Sequence, residues 1–508
     1  MLKNLFHSIL LSLVGLLLMT SCKKEAYDLI IRGATVVDGT GSAGKVTDIG
    51  VRGDTISTIG DLSAARAREV VDAKGLVLSP GFIDTHSHHS WGMRKQPEAL
   101  AVVSQGITTI VVGQDGGSEV PLKKYFDHLS DSPVAVNIAS YSGHNSIREI
   151  VMGKDFKRKA SADEIEKMKD LLKEDLESGA LGLSTGLEYD PGIYSAAEEV
   201  LELSGLLPEY NGRYISHLRS EDRYFHEAVD EIISIGKKTG VPVQISHFKL
   251  AMRKLWGQSG EVLARLDRAR AEGINISADL YPYPYWSSTI RVLFPDRNFS
   301  DLNEAKLILS EVTSPEGILF SSYDPNPEYN GKTLAEVATI EGKSPEVMLI
   351  ELIRRLDECE RKNNDCDGSI VATSMDEADI EKLMQWPHTS ICSDGASSGR
   401  HPRGFGAFPR VLAKYVREQK TLALEEAIRK MTSLSAEQMG FKKRGVIAPG
   451  NYADLVLFDP DLVQDRSTTK NPQETAAGII RVWVNGKPVY SMGKTTGQIP
   501  GKVIRRTN

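Results

Sequence analysis

"LVLSPGFIDTHSHHS", residues 76–90, decides the fold of this chain. A short apolar run passes directly into a cluster of polar side chains, in which His86 and His88 stand two positions apart. Because alternate residues of a strand point to the same side, both imidazoles can face one site. An apolar strand that ends in such residues is typical of a parallel α/β barrel, whose chemistry gathers at the carboxyl ends of its strands.

The same pattern recurs seven more times along the chain. Most copies follow one another after about 30 to 40 residues, which is the length of a βα unit, and the last interval is longer by roughly 80 residues. The later copies read ITTIVVGQDGG (107–117), VAVNIASYSGHNS (134–146), ALGLSTGLEYD (180–190), RYISHLRSE (213–221), VPVQISHFK (241–249), INISADLYPYP (274–284) and HTSICSDGASS (388–398). This repetition predicts an α/β fold, a (β/α)₈ TIM barrel with an insertion after strand seven.

The two ends of the chain differ from the middle. Short alternating strands with Gly and Asn turns occupy both ends and predict one small β-sandwich domain built from both. We therefore expect a leader over 1–21, sandwich strands within 22–75 and 441–508, and the barrel over 76–440. The insertion is expected at about 298–380, placed to cover the barrel mouth.

The N-terminus has the features of an export signal. "MLKNLFHSILLSLVGLLLMTSC" carries Lys3 and then an apolar run that is short for a membrane span. Its ending, MTSC, resembles a bacterial lipobox, which predicts that Cys22 is the lipidated first residue of the mature protein. The expected location is the bacterial cell envelope, lipid-anchored and facing the periplasm or on the outer membrane. A plain signal peptide with a stray cysteine and an uncleaved anchor are the alternatives.

Composition excludes one class of partner and leaves the thiols open. The chain has 508 residues, 25% of them charged, and a formal net charge of −7. It has no basic stripe, so we expect no nucleic acid partner. Three cysteines remain besides Cys22, and this odd number argues against a disulfide framework. Cys359 and Cys366 either pair in an oxidising compartment or are two thiols on a helix surface.

Two further histidines and one acid extend the first motif into a metal site. His217 and His247 end the fifth and sixth runs, and Asp394 ends the eighth. Imidazole and carboxylate ligands that converge at the barrel mouth favour Zn²⁺ or a similar transition ion. The sequence therefore predicts a metal site made of these residues together with His86 and His88.

The order of several motifs resembles one family. GFIDTHSH, GALGLSTGLEY, ISHLRSE, ISHFK, YPY, SDG and HPRGFGAFPRVL together resemble the D-aminoacylase (N-acyl-D-amino-acid deacylase) family of the amidohydrolase superfamily, over nearly the whole mature chain. The resemblance implies that His217 and His247 hold the main Zn²⁺. It implies that His86 and His88 contribute to a second, often weaker or empty, position. It also implies that Asp394 acts as general base and acid.

The chain departs from that family in one turn. The family has a metal-binding cysteine in a GNCG turn at the end of strand two, whereas this chain reads Gly113, Gln114, Asp115, Gly116. A carboxylate is a harder ligand than a thiolate, and its two oxygens can bridge two ions. We expect Asp115 to be a metal ligand and the site to accept a second ion more readily.

The resemblance also supplies substrate contacts. Arg403 matches a family arginine that binds the substrate carboxylate, for which a guanidinium offers a bidentate fork. Further family contacts match Lys249, Tyr281, Tyr189 and Ser287, although Ser288 is adjacent to the last of these. Arg219 and Glu221 are candidates for supporting roles, and His89, His144 and His401 are mouth residues without an assigned role.

The expected activity is zinc-dependent hydrolysis of the amide bond of N-acyl-D-amino acids, giving a carboxylate and a free D-amino acid. Asp394 would exchange the proton with the attacking water and the leaving amine. One alternative is a dipeptidase that releases a C-terminal D-amino acid from cell-wall-derived peptides. Another is a cyclic-amide hydrolase, although the carboxylated lysine common in that branch has no candidate in GLSTGLEYD. A non-catalytic envelope lipoprotein is the last alternative, against which the intact ligand set argues.

Overall fold

The structure is a computed structural model that describes residues 26–363 and 365–506. The expected leader over 1–21 and the lipidation site Cys22 lie outside the described residues. Within those residues, no helix combines the length and the apolar character needed to cross a membrane.

Strands and helices occur along the whole described part of the chain. The strands are β1 (Tyr27–Val36), β2 (Lys45–Arg52), β3 (Thr55–Gly60), β4 (Ala67–Asp72), β5 (Val77–Pro80), β6 (Phe82–Asp84), β7 (Ile107–Val112), β8 (Asn137–Ser140), β9 (Ser142–Gly143), β10 (Gly182–Gly186), β11 (Arg213–His217), β12 (Val243–Ile245), β13 (Ile276–Leu280), β14 (Tyr285–Thr289), β15 (Ile318–Tyr323), β16 (Gly368–Thr373), β17 (Thr389–Ile391), β18 (Leu455–Phe458), β19 (Ile479–Val484), β20 (Lys487–Ser491) and β21 (Lys494–Thr495). The α-helices are Ser90–Met93, Leu100–Val103, Leu122–Asp131, His144–Met152, Ala162–Glu177, Ala197–Ser204, Phe225–Thr239, Ser259–Ala271, Leu302–Leu307, Leu334–Glu341, Pro345–Asn363, Glu377–Gln385, Arg403–Arg410, Leu424–Met431 and Ser433–Met439.

Eight parallel strands close into the predicted barrel. The ladder runs β6-β7-β8 and then, through the short strand β9 that follows β8, along β10-β11-β12-β13-β17. A parallel bridge between Ser87 and Gly395 joins the first barrel strand to the last. Strands β7, β8, β10 and β13 are buried along their whole length, because helices cover their outer side and neighbouring strands fill the interior. The TIM-barrel prediction is confirmed.

A separate small β domain is built from both ends of the chain, as predicted. Its strands form one continuous hydrogen-bonded sheet in the order β21-β20-β19-β18-β5-β1-β2-β3, with β4 also paired to β1. The two ends of the chain meet where β5 pairs antiparallel with β18. The domain has its own core, in which Ile31, Ile49, Leu455 and Trp483 are buried together.

The insertion after strand seven is a small α/β unit that starts earlier than expected. Its antiparallel sheet has the order β14-β16-β15, so it opens at Tyr285 and not at about residue 298. The prediction placed the start too late because β14 pairs with β16, a segment far along the chain, and no local pattern reveals such a partner. The helix Glu377–Gln385 then leads to the eighth barrel strand.

The structure joins Cys359 and Cys366 in a disulfide inside this insertion, which answers the question that spacing left open. The bond ties the end of the helix Pro345–Asn363 to the loop before β16. Cys392, just after β17, is a free and buried thiol.

Candidate metal centre

The carboxyl ends of five barrel strands bring six predicted side chains together. They follow or end β6, β7, β11, β12 and β17, and are His86, His88, Asp115, His217, His247 and Asp394. Their ligand atoms form two overlapping groups, and within each group all the atoms lie within 4.8 Å of one another.

The first group combines the HxH motif with two carboxylates. His88 Nε2 lies 3.2 Å from Asp115 Oδ2 and 3.3 Å from Asp394 Oδ1. His86 Nε2 lies 3.4 Å from Asp115 Oδ1 and 3.6 Å from Asp394 Oδ1. Two imidazoles and two carboxylates therefore face a single point between the first and last barrel strands.

The second group combines Asp115 with the histidines of β11 and β12. His247 Nε2 lies 3.2 Å from Asp115 Oδ1 and 3.0 Å from His217 Nδ1. His217 Nδ1 lies 3.9 Å from the same carboxylate oxygen. Asp115 thus stands between the groups, with Oδ2 directed at His88 and Oδ1 at His247.

The donors fit a transition ion. Neither ring nitrogen of the buried His86 has a hydrogen-bond partner among the described residues. Buried polar atoms are normally satisfied, so an orphaned imidazole surrounded by carboxylates indicates a missing partner. Imidazole nitrogen and carboxylate oxygen are suitable ligands for Zn²⁺ and related ions.

Three of the six side chains are held by unusual backbone. The φ angles of Asp115, His247 and Asp394 are 53°, 34° and 48°, in the left-handed region that residues with a side chain rarely adopt. The turn that carries Asp115 is also tight, because a Cβ added at Gly116 would lie 2.2 Å from Asn145 Oδ1. Such strain concentrates at functional sites, where the surrounding structure imposes it.

Two buried acids accept hydrogen bonds from the segments that carry the candidate ligands. Asp279 accepts hydrogen bonds from the backbone N–H of His247 at 2.6 Å and from Gln244 Nε2 at 2.5 Å. Asp84 accepts from both the backbone N–H and the hydroxyl of Ser393, at 2.8 and 2.5 Å. Burial raises the pKa of Asp84 to about 7, despite these bonds from Ser393 that lower it.

Two further acids contact the ring nitrogens of His217 and His247 that face away from Asp115. Glu188 Oε2 lies 2.9 Å from His217 Nε2, and Glu221 Oε1 lies 3.1 Å from His247 Nδ1. Lys249 donates to both oxygens of Glu221 at 2.6 and 2.7 Å. Glu221 was expected to have a supporting role, whereas Glu188 was not predicted from the sequence. The only signal was its place just beyond β10, at the level of the barrel mouth.

A narrow cavity opens beside the two groups. All five predicted substrate contacts line it, namely Arg403, Lys249, Tyr281, Tyr189 and Ser287. Ser288 lines it as well, so both serines are candidate contacts. Arg403 Nη1 lies 2.7 Å from Asp394 Oδ2, and its guanidinium stacks 4.7 Å above the Tyr281 ring.

The remaining candidates lie outside both ligand groups. Arg219 pairs with Glu231 at 2.8 Å and does not line the cavity, and a supporting role for it at the metal groups stays a prediction. The other histidines find local partners: His89 lies 3.0 Å from Ser397 Oγ, His144 2.8 Å from Glu199 Oε1 and His401 3.0 Å from the carbonyl of Tyr285.

Comparisons with known proteins identify the family of this chain. The sequence pattern of the Amidohydrolase family matches residues 69–287 and 370–490, a match that omits most of the insertion. A D-aminoacylase of Alcaligenes xylosoxydans xylosoxydans is 36% identical over 96% of this chain and 100% of the relative.

Two solved structures are similar over 94% or more of the chain. An N-acyl-D-glutamate deacylase from Bordetella bronchiseptica, complexed with zinc and a phosphonate mimic of the tetrahedral intermediate, has a TM-score of 0.85 and 34% identity, over 95% of this chain and 100% of that one. A D-aminoacylase described by its binuclear metal centre, with one-metal activation and second-metal attenuation, has a TM-score of 0.83 and 36% identity, over 94% of this chain and 100% of that one. The chain belongs to the amidohydrolase family.

Proposed function

We propose that this amidohydrolase cleaves the amide bond of N-acyl-D-amino acids and releases a carboxylate and a free D-amino acid. One observation carries the proposal: Asp394 faces the metal-ligand groups with one oxygen and Arg403 with the other. A group that can move a proton and a cation that can bind an α-carboxylate are therefore neighbours in one cavity. The names of the related enzymes, a D-aminoacylase and an N-acyl-D-glutamate deacylase, support this substrate class.

The proposed cofactor is Zn²⁺, with His217, His247 and Asp115 as the main ligands. His86 and His88, with Asp115 and Asp394, would hold a second ion. Bound Zn²⁺ lowers the pKa of a water and polarises an amide carbonyl. The zinc in one related structure and the binuclear centre described for another support this assignment.

Asp394 is proposed to accept the proton of the attacking water and return it to the leaving amine. Burial raises the pKa of Asp394, but the charge of Arg403 and the contact with His88 outweigh it and hold that pKa well below its usual range. The group is therefore ionised at neutral pH, which is the state that a general base requires. Lys249, Tyr281, Tyr189 and Ser287 are proposed to position the substrate around the reacting amide.

A substrate panel tests the activity. Purified protein with added Zn²⁺ is given N-acetyl amino acids and dipeptides, with D and L forms side by side, and release of the free amino acid is measured. We expect turnover of the N-acetyl-D forms. Turnover of L forms alone would overturn the proposal, and turnover of dipeptides with a C-terminal D-residue alone would replace it with the dipeptidase.

The ligand role of Asp115 is tested by metal content. Asp115→Ala should lower both the zinc bound per chain and the deacylase rate, because it removes the carboxylate that both ligand groups share. The measurement is elemental analysis of protein grown with supplementary zinc, compared with Asp131→Ala, an exposed acid at the end of the helix Leu122–Asp131, as the control. Full zinc content and full activity in Asp115→Ala would show that Asp115 is not a ligand.

The membrane tether is also proposed, with Cys22 lipidated and the enzyme anchored in the bacterial envelope. The disulfide between Cys359 and Cys366 supports export, because such bonds persist in oxidising compartments. Expression of Cys22→Ser should move the protein from the membrane fraction to the soluble fraction and abolish labelling by a radioactive fatty acid. Unchanged fractionation together with unchanged labelling would exclude lipidation at this residue.

A further inference from the structure

A second cavity lies at the opposite end of the barrel from the metal-ligand groups. It is lined by the start of β11, the segment after the helix Ser433–Met439, and the C-terminal tail. Arg213 opens β11 at this cavity and His217 closes β11 at the metal groups. Five residues of strand separate the two ends by about 13 Å.

The charge of this cavity is opposite to that of the chain. The whole chain has a formal net charge of −7. Among the described residues, the cavity lining nevertheless contains one acid, Glu437, and six cations, which are Arg213, Lys442, Arg444, Lys502, Arg505 and Arg506. We refer to it as the basic cavity.

Within the described part of the chain, two of these cations bond to carbonyls and not to carboxylates. Arg444 pairs with Asp454, and Lys502 with Asp54 at 2.8 Å. Arg213 and Arg505 instead donate to the carbonyls of Gln438 and Ser178, at 2.8 and 2.5 Å. A carbonyl satisfies a donor without neutralising its charge, so the basic cavity keeps a positive potential that attracts anions.

The first described residues lie beside the basic cavity. The carbonyl of Ala26 accepts from Arg52 Nε at 2.5 Å, and Asp28 accepts from the N–H of Gly53 at 2.7 Å. Asp54, which follows Gly53 in the chain, forms an ion pair with Lys502, a residue of the cavity lining. Cys22 precedes Ala26 by four residues, a span of at most about 14 Å.

We propose that the basic cavity binds the phosphate headgroup of an anionic phospholipid. Charge complementarity and the position of the chain start argue for a lipid, because a membrane reached through Cys22 would lie against this face of the barrel. Lysine and arginine near an anionic surface each add to membrane affinity. The metal groups at the other end of β11 would then open away from the membrane, toward soluble substrate.

Vesicle binding tests the proposal without the lipid anchor. The protein used is the chain from Lys23 onward, which contains every described residue. It is sedimented at low salt with vesicles of phosphatidylcholine alone or with added phosphatidylglycerol. We expect binding only to the anionic vesicles. Lys442→Gln together with Arg505→Gln should lower the partition coefficient about five-fold per cation, or about 25-fold for the pair.

The matched control is Arg361→Gln with Lys362→Gln, which removes one exposed arginine and one exposed lysine from the insertion at the other end of the barrel. It should bind anionic vesicles like the wild type, and unchanged far-UV circular dichroism checks the fold of both variants. Equal loss in both variants, or wild-type binding to neutral vesicles, would overturn the proposal. Release of the wild type by glycerol phosphate at the concentration of lipid phosphate would assign the cavity to a soluble phosphate instead.

Discussion

The two histidine pairs of the metal centre share Asp115 but differ in how their rings are supported. In the pair of His217 and His247, each ring has one nitrogen near Asp115 and the other near a carboxylate of Glu188 or Glu221. In the pair of His86 and His88, the His86 ring has no hydrogen-bond partner among the described residues. We call these the supported pair and the HxH pair.

This difference predicts unequal metal affinity. A carboxylate behind a ligand imidazole fixes the orientation of the ring and makes its other nitrogen more basic. The supported pair is therefore prepared for an ion, whereas the HxH pair depends on Asp115 and Asp394 to complete its ligands. We expect one tightly bound ion at the supported pair and a weaker one at the HxH pair.

The largest expected effect comes from a comparison of two single variants, one for each pair, in which one imidazole ring is removed. His217→Asn should lose the tight ion and reduce deacylase activity to background, because the remaining donors cannot replace its imidazole. His86→Asn should keep one ion and measurable activity, because the supported pair is intact. The measurements are zinc per chain and kcat. Equal zinc loss in the two variants would contradict the ranking of the pairs.

Asp394→Asn comes next in size. It keeps the shape of the side chain but removes the proton acceptor, so kcat should fall about 10²- to 10⁴-fold. The tight ion should remain, because Asp394 belongs to the group of the HxH pair and not to that of the supported pair. Steady-state kinetics and zinc analysis on the same preparation check both points. A kcat within ten-fold of the wild type, or loss of all zinc, would show that Asp394 acts differently.

The sequence was sufficient to predict the four histidines of the two pairs but not the carboxylate behind His217. His86, His88, His217 and His247 were predictable because strand periodicity and the repeated βα unit place them at one end of the barrel. Glu188 was not, because it lies in a turn beyond β10, where no periodicity fixes the direction of a side chain.

Features that depend on contacts between distant segments of the chain could not be predicted from the sequence either. The start of the insertion at Tyr285 depends on pairing between β14 and β16 across a long interval of chain. The basic cavity was invisible for the same reason, since its cations come from separate segments and form no basic stripe. The repeated βα units of the TIM barrel, by contrast, could be predicted because each unit is one local stretch of the sequence.

The support behind the rings can be removed without touching a ligand. Glu188→Gln should weaken zinc binding about 10- to 100-fold, because the carboxylate behind His217 is lost. The matched control is Glu231→Gln, whose carboxylate pairs with Arg219 and lies behind neither ring. Zinc Kd is measured by competition with a chelator. An unchanged Kd in Glu188→Gln, or an equal change in the control, would remove the distinction between the rings of the supported pair and the His86 ring.

The smallest expected effect is the most specific for the shared ligand. Asp115→Cys keeps an anionic ligand for the supported pair, since thiolate binds Zn²⁺ well, but it removes the second oxygen that faces His88. Zinc content should therefore fall toward one ion per chain, while kcat/KM changes less than about ten-fold because the tight ion and Asp394 remain. Zinc titration followed by elemental analysis, with Asp115→Ala alongside, measures this. If Asp115→Cys still binds two ions, the HxH pair does not need the carboxylate, and the unequal affinity must come from the ring supports alone.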